Sequence, residues 1–95
     1  MNIELTARHY ETSERVKSYL TEEMKKLEMF DHLISSCKII LEKSKEGEII
    51  VITLHALGKD LVSAETSDDM IKSIDLAVAK MERQLKRFKE KRYAH

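Results

Sequence analysis

The residues of this chain best suited to chemistry are cations. Seven basic side chains lie between Lys80 and Arg92 (Lys80, Arg83, Lys86, Arg87, Lys89, Lys91 and Arg92), against only Glu82 and Glu90, a local balance of +5 in a chain of zero net charge. The first 79 residues carry ten basic and fifteen acidic groups, so the molecule is polarised end to end. On a helical wheel Lys80, Arg83, Arg87 and Lys91 share an arc of about 80° at ~100° per residue, with Lys86 and Lys89 off it. Cations spaced this way along a rod match nucleic-acid phosphates, and each phosphate neutralised releases counterions. A helix end in water also carries Lys and Arg for solubility and to complement its dipole, and the charge run alone favours that plainer account. A weaker basic element consists of Arg15 and Lys26 beside a first apolar stripe, with Arg8 ahead of them, offset by Glu11, Glu14, Glu22, Glu23 and Glu28.

Signals for catalysis are sparse. His9, His32, His55 and His95 are scattered, with no pair three or four apart on a helix, and Cys37 is a single cysteine, so no metal-ligand spacing arises. Cys37 and His55 fall on neighbouring strands where they could face each other, yet a buried thiol is the commoner role for a strand cysteine. Asp68 and Asp69 stand where a helix start needs carboxylates. The two glycines, Gly47 and Gly58, belong to no phosphate-binding run. No enzyme activity, metal or cofactor is expected.

These residues need elements to position them. Asn2 to Ala7 alternates with the period of a half-buried strand, Ile3, Leu5 and Ala7 on one side. From Glu14 the period becomes helical, with Val16, Tyr19, Leu20, Met24 and Leu27 on one stripe, Thr12 or Ser13 as cap and an end near Glu28. Cys37 to Glu42 and Ile49 to Leu57 read as strands around a charged loop at residues 43 to 48. A tight turn at Gly58 and Lys59 leads into a strand at Leu61 to Thr66. Ser67 or Asp68 then caps a long helix from about Asp69 to Lys91, whose stripe of Ile71, Ile74, Val78, Met81, Leu85 and Phe88 requires a partner surface.

The order strand, helix, three strands, helix predicts an α+β two-layer sandwich: a four-stranded mixed sheet, first strand parallel to the second, with both helices on one face. Strands two to four contain no Phe, Tyr or Trp, which disfavours stacking of single-stranded RNA on the open face. At 95 residues the chain is one domain with room for a thin core and no deep cleft. A lone cysteine and the absence of a membrane-length apolar run or signal pattern point to a cytosolic protein.

The segment DDMIKSIDLAVAKMERQLKRFKEK, Asp68 to Lys91, resembles the ribosome hibernation-promoting factor family, which includes ribosome-associated inhibitor A and is also known as the sigma-54 modulation proteins. The Asp-Met start, the Ile74-Asp75 pair and the Lys80 to Lys86 stretch carry the likeness. The strand residues at 52 to 54 and 63 to 65 extend it, as do Arg8, Glu11, Glu14, Tyr19, Lys26, Leu27 and Glu28 around the first helix. The resemblance covers essentially the whole chain and implies a fold similar to a double-stranded RNA-binding domain with an extra leading strand. It also implies binding in the decoding region of the small ribosomal subunit, blocking the messenger and transfer RNA paths and inhibiting translation in starvation or stationary phase.

The matching basic positions are Arg8, Lys26, Lys80, Arg83, Lys86, Arg87 and Lys89, to which the basic ridge adds Lys91, with phosphate contact to ribosomal RNA as their implied role. Two positions depart from the family pattern: Glu23, usually basic, and Ile71, usually tyrosine. With its end at His95 the chain looks like a short form, either inactivating single ribosomes or promoting ribosome dimers, and a monomer when free. The rival expectation is a protein-interaction module, a homodimer through the last helix or a modulator of transcription factors, without RNA contact.

Overall fold

The alternating and β-branched segments form one four-stranded sheet in the computed structural model, which describes residues 1–93, with side chains as far as Lys91. The side chain of Arg92, and His95, lie outside the described residues. The elements are β1 (Ile3–Arg8), α1 (Glu14–Met24), β2 (Ile34–Ser44), β3 (Gly47–Ala56), β4 (Lys59–Ser67) and α2 (Met70–Tyr93). The sheet runs β1-β2-β3-β4, with β1 parallel to β2 and the other pairs antiparallel, as the sequence order requires. Val16, Leu20 and Met24 of α1 share one core with Ile74, Val78, Met81 and Leu85 of α2, and with Cys37, Ile39, Leu41, Ile50, Ile52 and Leu54 of the central strands. Burying each large aliphatic side chain contributes roughly 1.5–3 kcal/mol, so this one layer carries the fold. No described helix is long and apolar enough to cross a membrane.

Several boundaries differ from the sequence reading, each for a local reason. The α-helix ends at Met24 and the chain continues as a 3-10 helix from Lys25 to Leu33. Met24, Leu27, Phe30 and Leu33 recur every third residue, the period at which side chains of a 3-10 helix eclipse, and all four are buried. The loop at 43 to 48 shrinks to a turn at Lys45 and Glu46, because Lys43 pairs opposite Glu48 and Ser44 opposite Gly47. The next turn is Leu57-Gly58, both with positive φ, the two-residue geometry that matches strand twist.

The cap of α2 also shifts by a residue. Asp69 Oδ1 accepts from the Ile71 amide at 3.1 Å, while Ser67 Oγ accepts from the Asp69 amide and bonds Ser73 Oγ. On α1 the cap is Ser13, accepting from the Val16 amide at 3.2 Å.

The largest departure is β1. Its register puts Ile3, Leu5 and Ala7 level with Cys37, Ile39 and Leu41, on the helix side of the sheet, yet all six residues of β1 are exposed. The helices lie over β2, β3 and β4 and leave this edge strand uncovered.

Candidate nucleic-acid interface

The cations depend on α2, so what holds α2 matters first. Its start is pinned to β3: the Met70 amide donates to Glu48 Oε1 at 2.8 Å and Ser73 Oγ donates to the Glu48 carbonyl at 2.7 Å. Further along, buried Ser63 of β4 donates to the Ala77 carbonyl at 2.8 Å and Gln84 Nε2 donates to the Val62 carbonyl at 2.8 Å. With Ile74, Val78, Met81 and Leu85 fully buried, the helix cannot roll, and the outward direction of its polar face is set. The same burial removes the apolar stripe as a dimer seam.

Lys80, Arg83, Lys86, Arg87, Lys89 and Lys91 are all outward-facing on α2. Lys80 lies 3.7 Å from Glu65 on β4 and is partly neutralised. Arg83, Lys86, Arg87, Lys89 and Lys91 have no ion pair among the described residues. Glu90 is the one acidic residue among them. The positive potential is therefore concentrated on the C-terminal half of α2.

Tertiary structure adds a cation that the sequence reading missed. The β3–β4 hairpin brings Lys59 to the last turns of α2, where it lines a shallow depression of about 250 Å³ with Leu61, Gln84, Arg87, Phe88 and Lys91. The sequence signal was available in principle, because α2 must run back along β4 and its end must meet the turn that begins β4.

The other two expected residues stand apart. Lys26 Nζ bonds Glu23 Oε1 at 3.1 Å, and that hydrogen bond raises the pKa of its ammonium above the usual lysine value. Glu23 thus occupies the charge of Lys26. The groove between the helices is acidic and bridged: the Tyr19 hydroxyl donates to Asp75 Oδ1 at 2.5 Å, while Glu23 accepts from Lys26. Arg8 is level with Glu42, Ile49 and Thr66, near the first turn of α2 and so at the opposite end of the domain from Lys86 to Lys91.

Cys37 and His55 do not face each other. Cys37 points into the core, where burial pushes its thiol up to about 11. His55 is exposed on the open face, its Nδ1 2.8 Å from Asp60 Oδ1. Among the described residues no group of three His, Cys, Asp or Glu is placed to hold a metal ion.

Known proteins share both this sequence pattern and this geometry. A family model described as Sigma 54 modulation protein / S30EA ribosomal protein matches residues 3–93. The ribosome hibernation promoting factor of Salmonella typhimurium is 30% identical over 95 residues, covering 100% of both chains. That of Azotobacter vinelandii is 30% identical over 91 residues, 96% of this chain and 85% of the relative. Among solved structures, a ribosomal subunit interface protein from Coxiella burnetii superposes with a TM-score of 0.86 at 26% identity, covering 94% of this chain and 98% of that one. The N-terminal domain of Thermus thermophilus Protein Y gives 0.81 at 26% identity, with 93% and 99% covered.

Proposed function

Because this chain belongs to the sigma 54 modulation protein / S30EA ribosomal protein family, we propose that it is a ribosome hibernation factor of the cytoplasm. As one ribosome-binding domain it occupies the decoding region of the small subunit, excludes messenger and transfer RNA and inhibits translation in starvation or stationary phase. It does so by occupancy rather than by catalysis. The observation that carries this reading is the run of five outward-facing cations without ion pairs, Arg83, Lys86, Arg87, Lys89 and Lys91, on a helix that the core and four hydrogen bonds hold rigid. A rigid row of this kind meets the phosphates of a folded RNA with little further loss of entropy on binding, and it reads shape rather than base sequence.

Lys59 joins this surface at the end of α2. Lys80 contributes once Glu65 releases it, and Lys26 and Arg8 are secondary contacts because one is paired and the other is distant. The relatives named as ribosome hibernation promoting factors and the structural neighbour named as a ribosomal subunit interface protein support the ribosome as partner.

Co-sedimentation with purified small subunits tests the proposal. Reversing Arg83, Lys86 and Arg87 to Glu should lower binding about a hundredfold or more at low salt, with circular dichroism and melting unchanged. Binding retained by that folded variant would overturn it.

A further inference from the structure

β1 is an edge strand whose outer backbone groups have no partner strand, and such an edge is a template for pairing. Three of the seven large apolar side chains left exposed among the described residues gather on it or just before it: Met1, Ile3 and Leu5, at 37%, 42% and 40% exposure. Beside them a groove of about 430 Å³ opens toward α1 and the 3-10 helix, its walls including Met1, Ile3, Met24 and Glu28. The other edge, β4, differs, because α2 packs against it.

The charges of β1 point to the occupant, beside the opposite charge that each already has level with it on β2, Lys38 for Glu4 and Glu42 for Arg8. Glu4 and Arg8 lie two residues to either side of Thr6, on the open face of the sheet, with Leu5 and Ala7 between them on the helix side. In an antiparallel pair with a second copy, centred on Thr6, each Glu4 falls opposite the other chain's Arg8, and each Leu5 opposite the other chain's Ala7. Opposite charges and apolar pairs placed directly across a ladder are the pairs that stabilise a sheet. The strand is thus complementary to itself in one register and one direction.

We propose that two copies of the free protein pair through β1 in this register, joining their sheets into one of eight strands. The interface is small, five residues of ladder per copy with Leu5 and its neighbours, so the dimer is weak, reversible and concentration-dependent. It departs from the monomer expected from the sequence, and it rests on β1 alone, independently of the ribosomal reading.

Sedimentation equilibrium across micromolar to millimolar protein tests it with the native chain and variants of the two charges. The native chain should show a reversible monomer–dimer equilibrium. E4R and R8E alone each place like charges opposite one another, and each should weaken the dimer by about tenfold or more. The E4R/R8E double variant restores complementarity and should recover dimerisation, as should an equimolar mixture of the two single variants, which pairs only as a heterodimer. Circular dichroism establishes that all are folded. A chain that stays monomeric at millimolar concentration, or a dimer indifferent to the single substitutions, overturns the proposal, the latter by moving the contact to another surface.

Discussion

The hydroxyl of Tyr19 on α1 donates a 2.5 Å hydrogen bond to the carboxylate of Asp75 on α2, across 56 positions of sequence. It is a direct polar link between the two helices, and it closes a groove that Glu23 and Lys26 line on one side. Both partners have shifted protonation as a result. The bond with Asp75, followed by burial and the charge of Glu23, raises Tyr19 to about 12, and the same bond holds Asp75 below the usual carboxylate range.

The sign of each shift gives a pH dependence. A raised tyrosine contributes stability fully below its ordinary value near ~10 and loses it as pH climbs through about 12. The lowered Asp75 contributes above the ordinary aspartate value and loses it as acid protonates the carboxylate. Y19F should therefore cost about 1 kcal/mol or less at neutral pH, since the pair is largely solvated, and should flatten the alkaline fall in stability. Thermal melts of both proteins across the alkaline range measure this. An alkaline limb identical in the variant would show that other groups govern it.

The cations should not contribute equally to ribosome binding. Ala substitution of Arg83 and Arg87 together should reduce the slope of log affinity against log salt by about 2, whereas K26A, whose charge is already engaged by Glu23, should change it by much less. K59A should behave like a ridge residue. Binding isotherms at several salt concentrations separate these cases, and a K26A effect as large as that of Arg83 would mean that the Glu23 pair opens on the ribosome.

Gly47 is demanded by backbone geometry. It has φ of +134°, and a Cβ there would collide with the carbonyl oxygen of Ser67, which opposes Glu48 across the β3–β4 ladder. G47A should destabilise by about 3 kcal/mol, combining strain at this φ with displacement of the β4 end from which α2 starts. Gly58 has φ of +82° with open space around it, so G58A should cost about 1 kcal/mol. Urea unfolding of the pair gives the difference directly.

Cys37 is 1% exposed and its thiol is pushed up to about 11 by burial. Little thiolate exists at neutral pH, and the thiolate is the reactive form. Alkylation should therefore track unfolding, slow in buffer and fast in denaturant. Rapid labelling of the native protein would show that β2 opens locally.

The order of elements, the parallel crossover and the faces that α2 and the central strands bury were all legible in the string of residues. They follow from local periodicity: Ile74, Val78, Met81 and Leu85 recur at helical spacing, and Cys37, Ile39 and Leu41 alternate, whatever else the chain does. The concentration of cations after Lys80 is equally a property of the string. The 3-10 turn was written in the threefold spacing of Leu27, Phe30 and Leu33, although the sequence reading ends the first helix near Glu28 and leaves the later two residues to a connector.

Which cations are free to act was settled by the folded arrangement alone. Lys26 is occupied by Glu23, Lys80 leans on Glu65, Arg8 stands at the far end from Lys86, and Lys59 arrives beside Lys91. The exposed state of Ile3 and Leu5 was settled at the same level, since alternation marks a face but not whether a helix reaches it. Electrostatic pairing and burial depend on distances between residues remote in sequence. Those distances exist only once the sheet has fixed where each strand ends and the helices have chosen which strands to cover.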